Sequence, residues 1–594
     1  MQLSEAFMVY FLKKSTPSKK GLYLQIYVNF YDAKTKKKKT LSYKALGYVS
    51  DLQAKGIEDP VSYFQKEVKK LNDSLFNNKV KQIGDSSPCR YAGHFLVKAM
   101  FDHLDLDRVM NIMSRNFKCK YKMSDFVRTL TYVQFLNPGS KLHSFEKVIP
   151  NMYNSIPFSY DQILDGVNFI GRDYPKFIEL INHGISSRWK RNYDKVFFDC
   201  TNYYFEIDKQ DDFRRYGPSK EERHCPILGQ ALLLDADMIP LDTEFYPGNQ
   251  SERPYIRKRI EEMKNRNNVN GRVIQVADKG LNCARNIYAA VKEANDGYIF
   301  SKSVHGKCLS DAEKMWILLE DDDINKWEEV RNNKNELLFK YKIAKSKDDK
   351  GNVYDYDEFE YKCKINSDDA KETKFKVKEK RIVTYNPSLA QKKRHEINKE
   401  VEKLQNKLTF KEAIREELGD SSKYVKLKST TIEGEKVKIA TEIDFDKVEE
   451  DLKYAGYNLL VTSEIDADPI TIHKTYHRLW RIEESFRIMK TYLEARPVFL
   501  QTEDSIYGHF IICYYALVIE RLIELKLFHD EYSPDSIFEF IRDFKVTENF
   551  DGSYINNATS TKFINMLKEK LGLSNIGNLY LSRKDLDNIM NFEI

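Results

Sequence analysis

The chain has 594 residues, past the size at which one hydrophobic core stops growing, so several domains are expected. Hydrophobic residues make up 41% and charged residues 31%, enough for packed interiors beneath a highly charged surface. The longest apolar run, 510–519, is cut by Glu520 and is too short to span a bilayer, which excludes it as a membrane helix and leaves a buried one.

The net charge of +6 says less than its distribution. Residues 1–50 hold ten lysines against Glu5 and Asp32, so this segment alone exceeds the excess of the whole chain. Such a segment suits a polyanion, or is simply a solvated lysine-rich hairpin. The N-terminus, MQLSEAFMVYFLKK, lacks a basic stretch followed by an apolar one, so no signal peptide is expected. None of the 8 cysteines forms C-x-x-C or pairs with histidines at zinc spacing, and they read as reduced, buried residues of a cytosolic protein.

Residues 1–85 are expected to form a small basic antiparallel sheet with a lysine-rich tip at DAKTKKKK, followed by a helix over 53–84. GDSSP at 84–88 ends it. Residues 86–192 carry apolar residues at helical spacing, with a firm stop at Asn137-Pro138-Gly139, and predict a helical domain, which by charge and position is, with the basic N-terminal sheet, a candidate for DNA-end binding. The character changes at Lys195. KVFFDCTNYYFEI is a strong strand, GQALLLDADMIPLDTEFYPG reads as two strands, and NQSERPYIRKRIEEMKNRN as a helix. GRVIQVADKG is a buried strand ending in polar residues, NCARNIYAAVKEAN a helix and GYIFSKSV a further strand. This order predicts a mixed sheet with helices on its faces over 193–305. Residues 306–455 turn polar, with strand-like pieces and one long helical stretch at 389–417, and read as an insertion. YNLLVTSE resumes the core, which runs over 456–503 with a long helix at 469–495; 504–594 is a mainly helical C-terminal region.

Three acids stand out by context. Asp199 interrupts an apolar strand, and such a polar side chain points into a site or is paired. Asp278 closes a strand at its carboxyl end, where open α/β sheets build their sites. Glu483 lies in the helix YHRLWRIEESFRIMK, where Tyr476, Glu483 and Lys490 are each seven apart and therefore share one face, with Arg487 beside them and Glu484 turned away. A carboxylate beside cations can hold a metal while the cations grip phosphates. Singly, Asp199 and Asp278 read as turn or cap residues, Glu483 as a solvated helix acid, Tyr476 as an ordinary packed residue, and Arg487 and Lys490 as solvated.

The segment YHRLWRIEESFRIMK resembles the Y…E…K signature of bacterial insertion-sequence DDE transposases. DCTNYYF, YPGNQSE, VADKGLNCARNI and ARPVFLQTEDSIYGHFIICYYALVIERLIE are similar to the same family. The resemblance covers most of 10–530 and is strongest at 196–205, 229–252, 273–287 and 473–512. It implies an RNase H-like α/β catalytic core in which Asp199, Asp278 and Glu483 are the catalytic, metal-binding acids, interrupted by a largely β insertion. It also implies two magnesium ions, replaceable by manganese, and no small-molecule cofactor. Tyr476 and Lys490 would hold the DNA end. The family's signature arginine falls on Leu479, flanked by Arg478 and Arg481, so these two and Arg487 remain candidates for phosphate contact. The implied partners are the terminal inverted repeats of a mobile element and target DNA, bound by a homodimer at the bacterial nucleoid without a membrane. The implied activity is metal-dependent DNA strand cleavage and strand transfer. A nuclease of the same fold, a captured DNA-binding protein without activity and a tyrosine recombinase are the alternatives; the last would need an arginine–histidine pattern that is not seen.

Around the signature, Trp480 is expected to pack beneath the helix rather than stack on a base. His473, His477 and His509 fit no simple ligand spacing. Gly248 and Asn249 read as a turn, 257–266 as a solvated basic face, and 389–417 as a packed insertion element.

Overall fold

Alternation of apolar and polar residues along the first strands yields a three-stranded antiparallel sheet of β1 (Val9–Ser18), β2 (Gly21–Asp32) and β3 (Lys37–Tyr48), seen in a computed structural model. The structure describes residues 9–32, 37–77, 89–113, 121–218, 220, 225–304, 309–366, 368–408, 423–432, 435–549 and 552–594. One face of this sheet carries Leu24, Ile26, Val28 and Phe30, all buried, on the side closed by helices α1 (Val49–Ala54) and α2 (Pro60–Asn77). Part of the lysine-rich tip, the end of the expected 53–84 helix and the break at 84–88 lie outside the described residues.

Helices at Phe95–His103, Leu106–Met113, Met123–Leu136, Tyr160–Arg172 and Tyr174–Arg188 fill the next region. Their apolar sides join a single core with the C-terminal helices. Three short strands in the C-terminal region, Lys545–Glu548, Tyr554–Asn556 and Tyr580–Leu581, pair in one sheet with Cys89–Tyr91. Here the mainly helical expectation misses strands too short to show a period.

The large sheet is mixed. β4 (Lys195–Tyr204), β5 (Ile227–Leu234) and β6 (Pro240–Pro247) form an antiparallel meander. Helix α3 (Arg253–Arg266) then leads to β7 (Ile274–Ala277), which lies parallel to β4, and β8 (Gly297–Lys302) lies parallel to β7. Five more strands complete it: β9 (Glu328–Arg331), β10 (Leu337–Ile343), β11 (Asp357–Cys363), β12 (Thr373–Tyr385) and β13 (Tyr457–Thr462). The order is β9-β10-β12-β13-β8-β7-β4-β5-β6, with β11 on β12. Strands from the polar 306–455 stretch are thus hydrogen-bonded into the same sheet as the core strands.

Both faces of the sheet are covered. On β4, Val196, Phe198 and Cys200 face a core with Ile256, Ile260 and Met263 of α3, while Phe197 and Tyr203 face the core shared with the C-terminal helices. This alternation follows from the two-residue period of a strand, and it puts Asp199 on the face of Phe197 and Tyr203. Three more helices close that face: α4 (Pro469–His477), α5 (Trp480–Arg487) and α6 (Glu503–Leu522). The apolar run at 510–519 is buried within α6, and among the described residues no helix is long and apolar enough to cross a membrane.

Two expectations change. The basic helix α3 is not a simple solvated face: Arg259 is buried and pairs with Asp242 at 3.2 Å and Glu244 at 2.8 Å, because the helix packs Ile256, Arg259 and Ile260 against the sheet. The long helical stretch of 389–417 is helical over Pro387–Leu408, and its last residues lie outside the described ones.

Phe510 of α6 couples helix to sheet, its ring centre 4.6 Å from Tyr203 and 5.1 Å from Phe245. Phe510→Ala is expected to destabilise the chain by about 3–5 kcal/mol, read as a lower midpoint in urea unfolding.

Candidate active site

The register of two parallel strands creates the site. Phe198 pairs with Ala277, so Asp199 and the residue following β7, Asp278, lie side by side. Ala277 in turn pairs with Phe300, which brings Ser301 next to Asp278. The Ser301 hydroxyl donates to Asp278 Oδ1 at 2.7 Å, and the Tyr476 hydroxyl donates to the same oxygen at 2.9 Å. The signature tyrosine thereby fixes one carboxylate directly.

The signature segment is not one uniform helix. Backbone N–H groups of Arg478 and Leu479 bond three residues back, to Thr475 and Tyr476, so the chain tightens between α4 and α5. Beyond α5 it widens: Ile488–Tyr492 is a π-helical turn, and the Leu493 N–H bonds back five residues to Ile488. Lys490 lies in this widened turn, a form that recurs at functional sites. Its ammonium donates to Thr201 Oγ1 at 2.9 Å and lies 5.3 Å from the Tyr203 ring centre. Tyr476 and Lys490 both reach the strand face that carries Asp199, despite the break.

The electrostatics bind these groups into one unit. Burial lifts the Asp199 pKa to about 7, with Glu252 and Asp278 adding to the rise and Lys220 and the Cys200 N–H opposing it. That N–H donates to Asp199 Oδ1 at 2.7 Å. Glu483 stands on the exposed edge of α5, and partial burial together with Asp278 raises its pKa, against Lys220. Burial and the neighbouring Lys220 push Lys490 down to about 8. Asp278 raises the pKa of both Asp199 and Glu483, so its charge is felt by each of them.

Lys220 and Glu252 are the residues that sequence reasoning missed as individuals. The Lys220 ammonium donates to the Cys200 carbonyl and pairs with Glu252 at 3.3 Å. Burial alone would lower its pKa, but Asp199 and Glu252 outweigh that and raise it. It serves as a built-in counter-ion to the acids. Glu252 ends the YPGNQSE motif, which was the available signal; Lys220 has none, being isolated in a polar loop. Both line a cleft of about 370 Å³ beside the site, with Asn202, Gly248, Arg253 and Gly280.

The arginines divide. Arg478 is exposed, with its guanidinium 5.8 Å from the Phe197 ring centre. Arg481 is held inside the protein by Glu484 at 2.9 Å, Glu524 at 2.8 Å and Asp530 at 2.5 Å. Arg487 is exposed and pairs with Glu484 at 3.3 Å. Trp480 corrects the expectation of core packing: it is 49% exposed, with Arg481 stacked 4.2 Å from its ring centre. Position 480 is four after Tyr476 and three before Glu483, so it belongs to their open face, while Ile482, Ser485 and Phe486 face the core. His473 stacks on Phe339 at 3.8 Å and His509 is buried against Lys141 at 3.2 Å, so neither joins the acids.

All three acids offer hard oxygen donors, the chemistry that suits magnesium or manganese. Among the described residues, no three histidine, cysteine or acidic side chains are grouped closely enough to hold an ion as they stand. The donor types fit a divalent ion, and the mutual repulsion of the acids favours one.

No family model matches the chain, and no curated protein is similar to it. Among solved structures, the chain is similar to one described as the cryo-EM structure of the piggyBac transposase synaptic complex with hairpin DNA. The TM-score is 0.34 and the identity 10%, over 85% of this chain and 86% of that one. A likeness so distant carries no argument about the site, which rests on its own geometry.

Because the folded-state pKa of Asp199 lies above its ordinary value, the folded chain holds this proton more tightly than the unfolded one. Stability from this group is therefore lost as pH rises from about 4 through about 7. In EDTA, Asp199→Asn is expected to be more stable than the parent at about pH 8, by roughly 1–3 kcal/mol after solvent screening. Thermal melts should show the difference closing toward about pH 4; a constant difference across that range would mean Asp199 is ionised normally.

Proposed function

We propose that the chain is a DDE transposase with an RNase H-like core, cutting and rejoining DNA at the inverted-repeat ends of an insertion sequence. The observation that carries this reading is the register that sets Asp199 beside Asp278 on adjacent parallel strands, with Tyr476 of the signature segment donating to Asp278. The strand order β6-β5-β4-β7-β8, an antiparallel meander followed by two parallel strands with helices between, supports the RNase H-like assignment.

Asp199, Asp278 and Glu483 would hold divalent magnesium or manganese, two ions per site. Such ions supply activation of a nucleophile and stabilisation of a leaving oxygen in phosphoryl transfer. The chain's own groups do the positioning. Tyr476 and Ser301 fix the Asp278 carboxylate from one side. Lys490 presents an ammonium beside Thr201, where it can meet a phosphate of the DNA end, and Arg478 and Arg487 are exposed cations on the same helical segment. Arg481, engaged by three acids, acts in holding the helix rather than the DNA. Water attacks the phosphodiester at the element end and frees a 3′-hydroxyl, which then attacks the second strand or the target. The partners are duplex element ends and target DNA, bound by a homodimer on paired ends in the bacterial nucleoid.

A labelled duplex carrying the native element end, incubated with magnesium or manganese, tests this. The wild type is expected to cleave it to a 3′-hydroxyl and to join that end to target DNA, and Asp278→Asn to lose both activities below detection. Cleavage without joining would mark a nuclease, binding without cleavage a captured DNA-binding protein. Cleavage that survives in Asp278→Asn would mean a different acid does the chemistry.

A further inference from the structure

The N-terminal sheet has a second face that nothing in the active site uses. Strand pairs place Lys13 opposite Gln25, Tyr27 opposite Ser42 and Asn29 opposite Thr40, all on the side away from Leu24, Ile26 and Val28. The helices close only the apolar side. The other side is open: Lys13, Asn29, Thr40 and Ser42 are exposed, and Gln25 and Tyr27 are half-buried among them.

A sheet face without a partner can be a solvated surface, and its chemistry decides otherwise here. The three strands carry a single carboxylate residue, Asp32, at the far end of β2 opposite Lys37. Lys38, opposite Tyr31, extends the face at its far end and is exposed, while Lys37 falls on the other face. The surroundings are strongly cationic, which repels a second copy of the same surface and attracts a polyanion. Between the lysines stand side-chain amides and hydroxyls, the groups that read base edges: glutamine and asparagine bidentate on adenine, serine and threonine on either partner. Asn29 and Thr40 already hold each other at 2.6 Å, and Tyr27 donates to Gln25 at 3.4 Å, so the polar row is ordered before any ligand arrives. Three strands at about 4.8 Å spacing span about 10 Å, close to the roughly 12 Å width of a major groove.

We propose that this open face reads duplex DNA in the major groove, with Gln25 and Asn29 contacting bases and Lys13 and Lys38 contacting phosphates. The inference rests on the reading that the chain acts on DNA, and it deepens that reading by separating end recognition from the acids that cut.

The test needs no cleavage. Wild-type chain in EDTA is used to select from a pool of random 20-base-pair duplexes, and the winning duplex is titrated at several salt concentrations. A defined sequence is expected to enrich. Gln25→Ala with Asn29→Ala should flatten the preference at two or more positions while leaving the salt dependence unchanged. Lys13→Ala with Lys38→Ala should weaken the winning and scrambled duplexes alike, and reduce the slope of log affinity against log salt by about 1.8. Unaltered melting temperatures in both variants will show that the sheet is intact. Failure of the wild type to enrich any sequence, or retention of preference and slope in the two variants, overturns the proposal. Because binding is read without divalent ions, this outcome is independent of whether the acids cleave.

Discussion

Setting Asp199 beside Asp278 on adjacent strands places like charges together, and the elements around them sustain that placement. Burial and mutual repulsion both favour protonated acids, as the rise of Asp199 to about 7 shows. The fold opposes this with hydrogen-bonded strand register and local donors. Two hydrogen-bonded parallel strands fix the first two acids side by side. The Cys200 N–H, the Ser301 hydroxyl and the Tyr476 hydroxyl each satisfy one of their oxygens. Lys220 supplies a positive charge in the same space. The outcome is a pair of neighbouring acids whose charges oppose each other and whose oxygens are hard donors.

Glu483 has no strand to hold it, so its helix must be held. Ile482, Phe486 and Met489 bury the inner side of the segment in the core. A buried ionic network locks the outer turn: Glu484 pairs with Arg521 at 3.0 Å, Arg521 with Glu524 at 2.5 Å, and Arg481 with both Glu484 and Glu524. Removing one member of such a network leaves an unpaired buried charge, which costs about 3–5 kcal/mol. Glu484 therefore works beside Glu483 without sharing its face: one points to the site and its neighbour anchors the helix. The tightened turn before α5 and the widened turn after it adjust how Tyr476 and Lys490 approach the sheet.

Much of this was legible in the sequence. An aspartate inside KVFFDCTNYYF and another at the end of VIQVAD are conspicuous because strands of that composition are buried, and the seven-residue spacing of Tyr476, Glu483 and Lys490 marks one face of a helix. The helix-to-strand change at Lys195 follows from periodicity in the same way. What stayed hidden depends on tertiary pairing. Periodicity cannot tell that Arg481 is satisfied by Glu524 and Asp530, more than forty residues away, while Arg478 stays exposed. Nor can it place Lys220, whose position is set by the Cys200 carbonyl and Glu252. Trp480 was misread because its size argued for the core, when its place in the helical repeat argued for the face of Glu483.

The polar stretch between β8 and β13 was set apart by composition, yet its strands extend the same sheet as the core strands. β13 pairs with β8, and Leu460 lies opposite Ser301, whose hydroxyl holds Asp278. β12 pairs with β13, and β10 with β12, so an unbroken ladder of backbone hydrogen bonds runs from β10 to that hydroxyl. His473 of α4 stacks on Phe339 of β10, three residues before Tyr476, the second donor to the same carboxylate. Both hydroxyls that orient Asp278 are therefore tied to the added strands, one through the sheet and one through the helix. A displacement of those strands would reach both donors first, and Asp199 only through the further pairings of β8 with β7 and of β7 with β4. The added strands thus bear on one acid of the site more than on the other.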